Sequence, residues 1–159
     1  NAVVVTWHSN FNAGTPTGES ARIGGSGDTP MIGIFLVTHG TLGESLIQCV
    51  CHVLDKRPPL LGQLGVSAQD DPDELLPLAC DMIARVDGGN GVLLLTDIHG
   101  ATPGNIAMQL LEPGRIELVA GVSLPMLLRV LTHRSEDMSA LLERALSGAC
   151  EGAVRVTAS

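Results

Sequence analysis

Aromatic residues are almost absent from this chain of 159 residues, which has two Phe, one Trp and no Tyr. A core therefore has to be assembled from Leu, Val, Ile, Ala and Met. With 45% hydrophobic residues there are enough of these for one well-buried domain. Basic residues are scarce as well: nine Lys and Arg stand against 17 Asp and Glu, for a formal charge of −8. That balance argues against binding nucleic acid or anionic membrane surfaces, and leaves room for a basic protein partner. No apolar run approaches the roughly 20 residues that cross a bilayer, so direct membrane insertion is not expected. The N-terminus also lacks the basic-then-apolar pattern of a secretory signal. Four cysteines, Cys49, Cys51, Cys80 and Cys150, make no disulfide framework in a chain of this length. They read as free, buried thiols in a reducing, cytoplasmic compartment.

The first 30 residues differ from the rest. "NAGTPTGESARIGGSGDTP" is rich in Gly, Ser, Thr and Pro with no apolar period, so it reads as a flexible leader. The preceding "AVVVTW" has the composition of a strand but no complementary segment close by. Met31 opens the structured region, 31–159, and the leader is expected to lie outside the native fold, as an appended or mis-called upstream segment would.

From Met31 strand-like and helix-like segments alternate. "MIGIFLV" is a continuous apolar run, the pattern of a strand covered on both faces. Leu42, Leu46, Ile47, Val50, Val53 and Leu54 then recur at helical spacing, with Thr41 and Glu44 forming a capping-box start. "LLGQLGVS" reads as a second strand. Asp71-Pro72 opens a helix running to Val86, with proline where its missing N–H costs nothing. "GVLLLTD" is a third strand, followed by a short helix over 103–111 that Thr102 caps. "RIELVAG" is a fourth strand, and Ser123 with Pro125 starts the next helix. A last helix begins at a Ser135 cap and ends near Gly148, and "GAVRVTA" closes the chain as a fifth strand. The connections are too long for hairpins, so the expected fold is α/β: a flavodoxin-like, doubly wound, mostly parallel sheet with helices on both faces.

In such a sheet, ligands bind beyond the carboxyl ends of the strands, where the strand order reverses. Strand one ends on Thr38-His39-Gly40, strand three on Asp97 followed by His99, Gly100 and Thr102, and strand four on Gly121 followed by Ser123. With strands one and three as neighbours, His39 and Asp97 face each other across the switch point. An imidazole attacks through one ring nitrogen while a carboxylate holds the proton on the other and supports the developing cation. Thr41, Thr102 and Ser123 stand at helix starts, where free N–H groups and the helix dipole attract anions. Gly40, Gly100 and Gly121 admit close backbone approach. The arrangement suits a phosphoryl group.

Each residue also has a plainer reading. A histidine after a strand is ordinarily a polar turn residue, and His52 and His133 read as helix-surface residues. His99 shares the edge with His39, where it touches phosphate or a partner or simply fills the turn. A zinc site of His39, Asp97 and His99 lacks any short paired-ligand spacing. No Gly-x-Gly-x-x-Gly or Walker lysine follows a strand, no serine elbow is present, and strand one lacks a receiver domain's acidic pair. What remains is a histidine-centred site with no evident cofactor and no metal.

The segments "IFLVTHGTLGESL", "GVLLLTDIHGATPGNIA" and "VAGVSLPMLLRVL" together resemble the IIA component of the mannose family of the bacterial phosphoenolpyruvate-dependent sugar phosphotransferase system, in the family's order and spacing. The resemblance covers 31–158. It implies that His39 is transiently phosphorylated by the phosphocarrier HPr and passes the group to a IIB component, with Asp97 orienting the histidine. Pro103, Asn105, Gly121, Ser123 and Pro125 match the family loops directly. It further implies sheet order 2-1-3-4 and a homodimer in which a final antiparallel strand, 152–158 here, is exchanged between subunits. Contact with a membrane permease complex follows as well. Thr102 stands where the family commonly has Ser, and Ala101 replaces the second Gly of its pair. His99 occupies a position that often carries another residue, including Trp. The related dihydroxyacetone-kinase phosphotransfer subunit shares the fold, but its loop after the acid differs from "HGATPGN". Two roles stay open: a carrier in sugar transport, and a regulatory phosphorelay module whose phosphorylation state controls protein binding.

Overall fold

A computed structural model of the protein describes residues 30–158. The leader and its strand-like "AVVVTW" lie outside the described residues. Among those described, four strands alternate with helices: β1 (Gly33–His39), α1 (Leu42–Leu54), β2 (Leu61–Val66), α2 (Pro72–Val86), β3 (Val92–Thr96), α3 (Thr102–Met108), β4 (Ile116–Ala120), α4 (Leu124–His133) and α5 (Met138–Glu151). All strand pairs are parallel, in the order β2-β1-β3-β4. The sheet is thus the flavodoxin-like arrangement expected from the sequence, with its switch point between β1 and β3.

Side-chain alternation along the central strands divides the core in two. Ile34 and Leu36 of β1 and Leu93 and Leu95 of β3 pack with Ile47, Val50, Met126, Leu127, Val130 and Leu141 under α1, α4 and α5. Phe35, Val37, Val92 and Leu94 face the other way, onto Ala79, Ile83, Ile106 and Ala107 of α2 and α3. Burial on both faces explains why β1 and β3 are continuously apolar in sequence.

Several helix starts and one strand differ from expectation. Thr41 precedes α1 but its side chain makes no capping hydrogen bond. Its φ of −99° and ψ of 9° keep it out of the extended conformation from which an N-cap oxygen reaches the first turn. Ala101, with ψ of 169°, is the N-cap of α3, which places Thr102 inside the helix and gives it no cap bond. Asp137, not Ser135, caps α5, its Oδ1 accepting from the Ala140 N–H at 2.9 Å, because Ser135 lies in the turn that ends α4. α5 continues to Glu151, beyond Gly148. Asp71 and Ser123 do cap α2 and α4, accepting from Asp73 N–H at 3.0 Å and Met126 N–H at 3.3 Å.

Residues 153–158 carry no strand and are exposed throughout. Val154 and Val156 keep the alternation of a half-buried strand, yet pair with no strand among the described residues. The cysteines are unpaired, as expected, but not buried: Cys49, Cys80 and Cys150 are exposed and Cys51 is half-buried. Their helices turn only one narrow stripe to the sheet; Cys49, Cys80 and Cys150 fall off it, while Cys51 packs at its margin against the core. Leu42 and Val53 of the expected α1 stripe are exposed for the same reason.

Candidate functional site

The switch point places the end of β1 beside the residue that follows β3. Val37 of β1 is in register with Thr96 of β3, so His39 and Asp97 emerge together at the carboxyl edge. One oxygen of Asp97, Oδ2, accepts from the His39 backbone N–H at 3.0 Å and meets His39 Nδ1 at 2.8 Å. Oδ1 accepts from the Ile98 N–H at 3.0 Å and from the Thr96 hydroxyl at 3.4 Å. The acid side chain is 14% exposed and the imidazole 53%, so the carboxylate is tucked in and the ring stands in the open.

These contacts fix the tautomer. Partial burial pushes the Asp97 carboxyl upward, but the backbone and ring N–H groups of His39, its nearby charge and the Ile98 N–H outweigh that and hold it below the ordinary value. An ionised carboxylate only accepts hydrogen bonds, so Nδ1 carries the proton. In the neutral ring the lone pair then lies on Nε2, away from the acid. The result is a nucleophilic nitrogen on an exposed edge.

The surrounding turns are held tightly. Gly40 has a φ of +51°, a left-handed conformation that glycine adopts freely, and donates its N–H to Val66 O at 2.9 Å. Gly65 permits that approach, since a Cβ there would collide with the Gly40 carbonyl oxygen. The turn after β4 is tied to the end of β3, because Gly121 and Val122 donate to Thr96 O at 2.9 and 3.0 Å. Gly121, Ser123, Gly100, Thr102 and Thr41 therefore all sit on the edge that carries His39. Gly121 and Gly100 also have positive φ, at 88° and 82°. His99 is exposed in the β3–α3 loop and hydrogen-bonds no other described residue. Among the described residues no three His, Cys, Asp or Glu side chains converge as metal ligands.

Two participants were not singled out from sequence. Thr38, completely buried, accepts the Gly43 N–H at 2.8 Å and so supplies the cap that Thr41 does not. Gln63 of β2 reaches the same region from the neighbouring strand. Thr38 signals itself only as one hydroxyl closing an otherwise apolar strand.

The edge also has a charge and an apolar character. Asp70, Asp71, Asp73 and Glu74 cluster after β2 and at the start of α2, on the carboxyl edge that also carries His39, whose register partner is Val66. Lys56, Arg57, Arg85 and Arg115 lie at helix ends or a strand start, on the opposite edge, where Asp55 also lies and Arg115 is paired with Asp87 and Glu112. Leu42 and Ile98, 41% and 57% exposed, flank His39 and Asp97 in sequence.

Comparison with known proteins identifies the family and agrees with the fold. The family model EIIA-man, described as the PTS system fructose IIA component, matches residues 33–146. The mannose-specific EIIAB component of the Escherichia coli K12 phosphotransferase system is 29% identical over 109 residues, covering 68% of this chain and 33% of that one. The matched segment thus spans about a third of that relative. The mannose/sorbose-specific IIA subunit from Enterococcus faecalis superposes with a TM-score of 0.72 at 19% identity, over 81% of this chain and 97% of that one. The EIIA component from Streptococcus agalactiae gives 0.69 at 21% identity, over 79% and 97%. The two structures share the fold, and the family model covers well over half of the chain: this protein belongs to the EIIA-man family of phosphotransferase-system IIA components.

Proposed function

We propose that the protein is a phosphocarrier that takes a phosphoryl group onto His39 from phospho-HPr and delivers it to a IIB component. The observation that carries this reading is the bond between His39 Nδ1 and Asp97 Oδ2 at 2.8 Å, with the ring otherwise exposed. The Nε2 lone pair attacks phosphorus and the bond from phosphorus to the donor nitrogen breaks. Asp97 balances the positive ring that forms, and the reverse sequence loads the acceptor. Such transfer is mainly positioning and electrostatics, so the reading calls on no cofactor from this chain.

The free N–H groups of the first turn of α1, beside Gly40 and Thr41, receive the phosphoryl oxygens, with Gly100, Thr102 and Ser123 on the far rim. The acidic rim and the exposed Leu42 and Ile98 suit a partner with a basic surface around an apolar centre, the complement of this edge. The reading places the protein in the cytoplasm, in contact with a membrane permease complex through IIB. A second copy is the partner for residues 153–158, whose alternating Val154 and Val156 stand 72% and 87% exposed.

The test is incubation with phosphoenolpyruvate, enzyme I and HPr. The expected product is acid-labile label that His39→Ala abolishes and that chases onto a IIB acceptor. Acid-stable label, or label surviving His39→Ala, overturns the assignment. Labelling that no IIB accepts favours the regulatory role instead.

A further inference from the structure

Beneath the first turn of α1 lies a buried acceptor that the mechanism above does not use. Gln63 Oε1 is fully buried and has no hydrogen-bond partner among the described residues. A polar atom in that state is rare in folded proteins, where nearly all such groups are paired. Close by is a donor in the matching condition. Thr38 is completely buried, its Oγ1 accepts the Gly43 N–H at 2.8 Å, and its own hydroxyl proton is donated to no described residue. The two oxygens border one small space: a Cβ placed on Gly43 would stand 3.0 Å from Thr38 Oγ1 and 3.2 Å from Gln63 Oε1. Register puts them on one sheet face, since Leu36 pairs with Gln63 and Thr38 with Gly65. Glycine at 43 and at 65 leaves room for the long Gln63 side chain to run under the helix.

We propose that Gln63 is a positioning residue for the phosphoryl-accepting edge, acting through Thr38. The two oxygens are neighbours but not bonded in this structure; a small turn of the Gln63 side chain lets Oε1 accept a hydrogen bond from the Thr38 hydroxyl, which keeps an Oγ1 lone pair on the Gly43 N–H and holds the first turn of α1 against the end of β1. Thr38 precedes His39 directly and Gly43 is the second residue of α1, so this lock sets where the remaining first-turn N–H groups stand relative to His39 Nε2. With Gly43 N–H engaged below, those of Thr41, Leu42 and Glu44 are the donors left for an incoming anion. The functional part of this inference rests on the reading of His39 as the phosphoryl acceptor. The hydrogen-bond relay itself does not.

The experiment uses the full chain, 15N-labelled, as Gln63→Met, Thr38→Val, their double variant and Gln63→Glu. Amide exchange of Gly43 and the rate of His39 labelling from phospho-HPr are followed side by side. Methionine keeps the length of glutamine and removes the acceptor; Gln63→Glu keeps an acceptor for the hydroxyl. Gln63→Met is expected to speed Gly43 exchange and to lower the maximum labelling rate about tenfold. The KM for phospho-HPr stays unchanged, because the docking rim is untouched. Thr38→Val is expected to do the same, Gln63→Met is expected to add nothing on top of it, and Gln63→Glu stays near wild type. Unchanged Gly43 exchange in Gln63→Met, or additive effects in the double variant, overturns the relay. A loosened Gly43 amide with an unchanged labelling rate overturns the positioning role. Wild-type protein that takes no label defeats the phosphocarrier reading instead, and the Gly43 exchange data still decide the relay.

Discussion

Asp97 Oδ2 holds two N–H groups of a single residue, the backbone and the ring of His39, at 3.0 and 2.8 Å. The acid therefore fixes the end of β1 and the tautomer of the nucleophile together. Asp97→Asn keeps the shape but removes the charge that supports a phosphorylated ring, and allows the amide to donate to Nδ1 and misplace the proton. We expect phosphorylation of His39 to slow by at least ~10²-fold, as in other carboxylate-held histidines, with the circular dichroism spectrum unchanged. Stability carries its own signature. The Asp97 carboxyl is depressed in the folded protein, so its contribution is present above its unfolded value, near 3.8, and is lost as pH falls through the folded one. The stability gap between wild type and Asp97→Asn, measured in urea, should therefore shrink on going from pH 7 to pH 3. His39 and Asp97 were legible in sequence because each ends an apolar run at the edge where parallel sheets bind ligands. Thr38 and Gln63 were not. A hydroxyl and an amide inside strands read as tolerated polar residues until the register of two chain-distant strands brings them under one helix turn.

At the scale of elements, the apolar period carried nearly all of the information. β1 to β4 fall within a residue or two of their sequence ranges, and α2 runs from Pro72 to Val86 as its cap and period indicate. What the pattern could not settle was which oxygen caps which helix, since backbone angles at Thr41, Ala101 and Asp137 decide that and neighbouring turns set the angles. α4 and α5 supply a prediction on packing. Their crossing is close at Gly148, where a Cβ would stand 2.9 Å from Met126 Cα and 3.3 Å from Arg129 Cβ. Gly148→Val should force the helices apart and cost about 1–3 kcal/mol in urea denaturation. The helix pair covers one face of the sheet and bears no site residue except Ser123, so labelling of His39 per folded molecule should be unaffected. A loss of labelling that exceeds the loss of folded protein would mean that the α4–α5 layer reaches the site more directly than its packing indicates.

Across the whole molecule, charge and an unpaired tail point to partners. Asp70, Asp71, Asp73 and Glu74 of the β2–α2 connection lie on the carboxyl edge that also carries His39, while Lys56, Arg57 and Arg85 stand at the opposite edge, where Arg115 is paired with Asp87 and Glu112. A basic donor is then steered toward the histidine, so kcat/KM for phospho-HPr should fall as salt rises and the screening length drops below ~8 Å. Reversing Asp73 and Glu74 to Lys should flatten that dependence without changing the maximum rate. The tail is an element-level expectation that only assembly resolves. Val154 and Val156 alternate as a half-buried strand does, but α5 ends at Glu151, just before them, and β4 is an edge strand of the sheet. On the proposed reading, an alternating tail and a β4 edge that pairs with no strand among the described residues are satisfied together when two copies exchange tails. Sedimentation of the full chain should therefore give a dimer, and removal of residues after Gly152 should give a monomer of unchanged secondary structure in which His39 is still labelled, because Asp97 and the first turn of α1 come from the same chain. A monomeric full-length protein, or a dimer that survives the truncation, would assign the tail another partner.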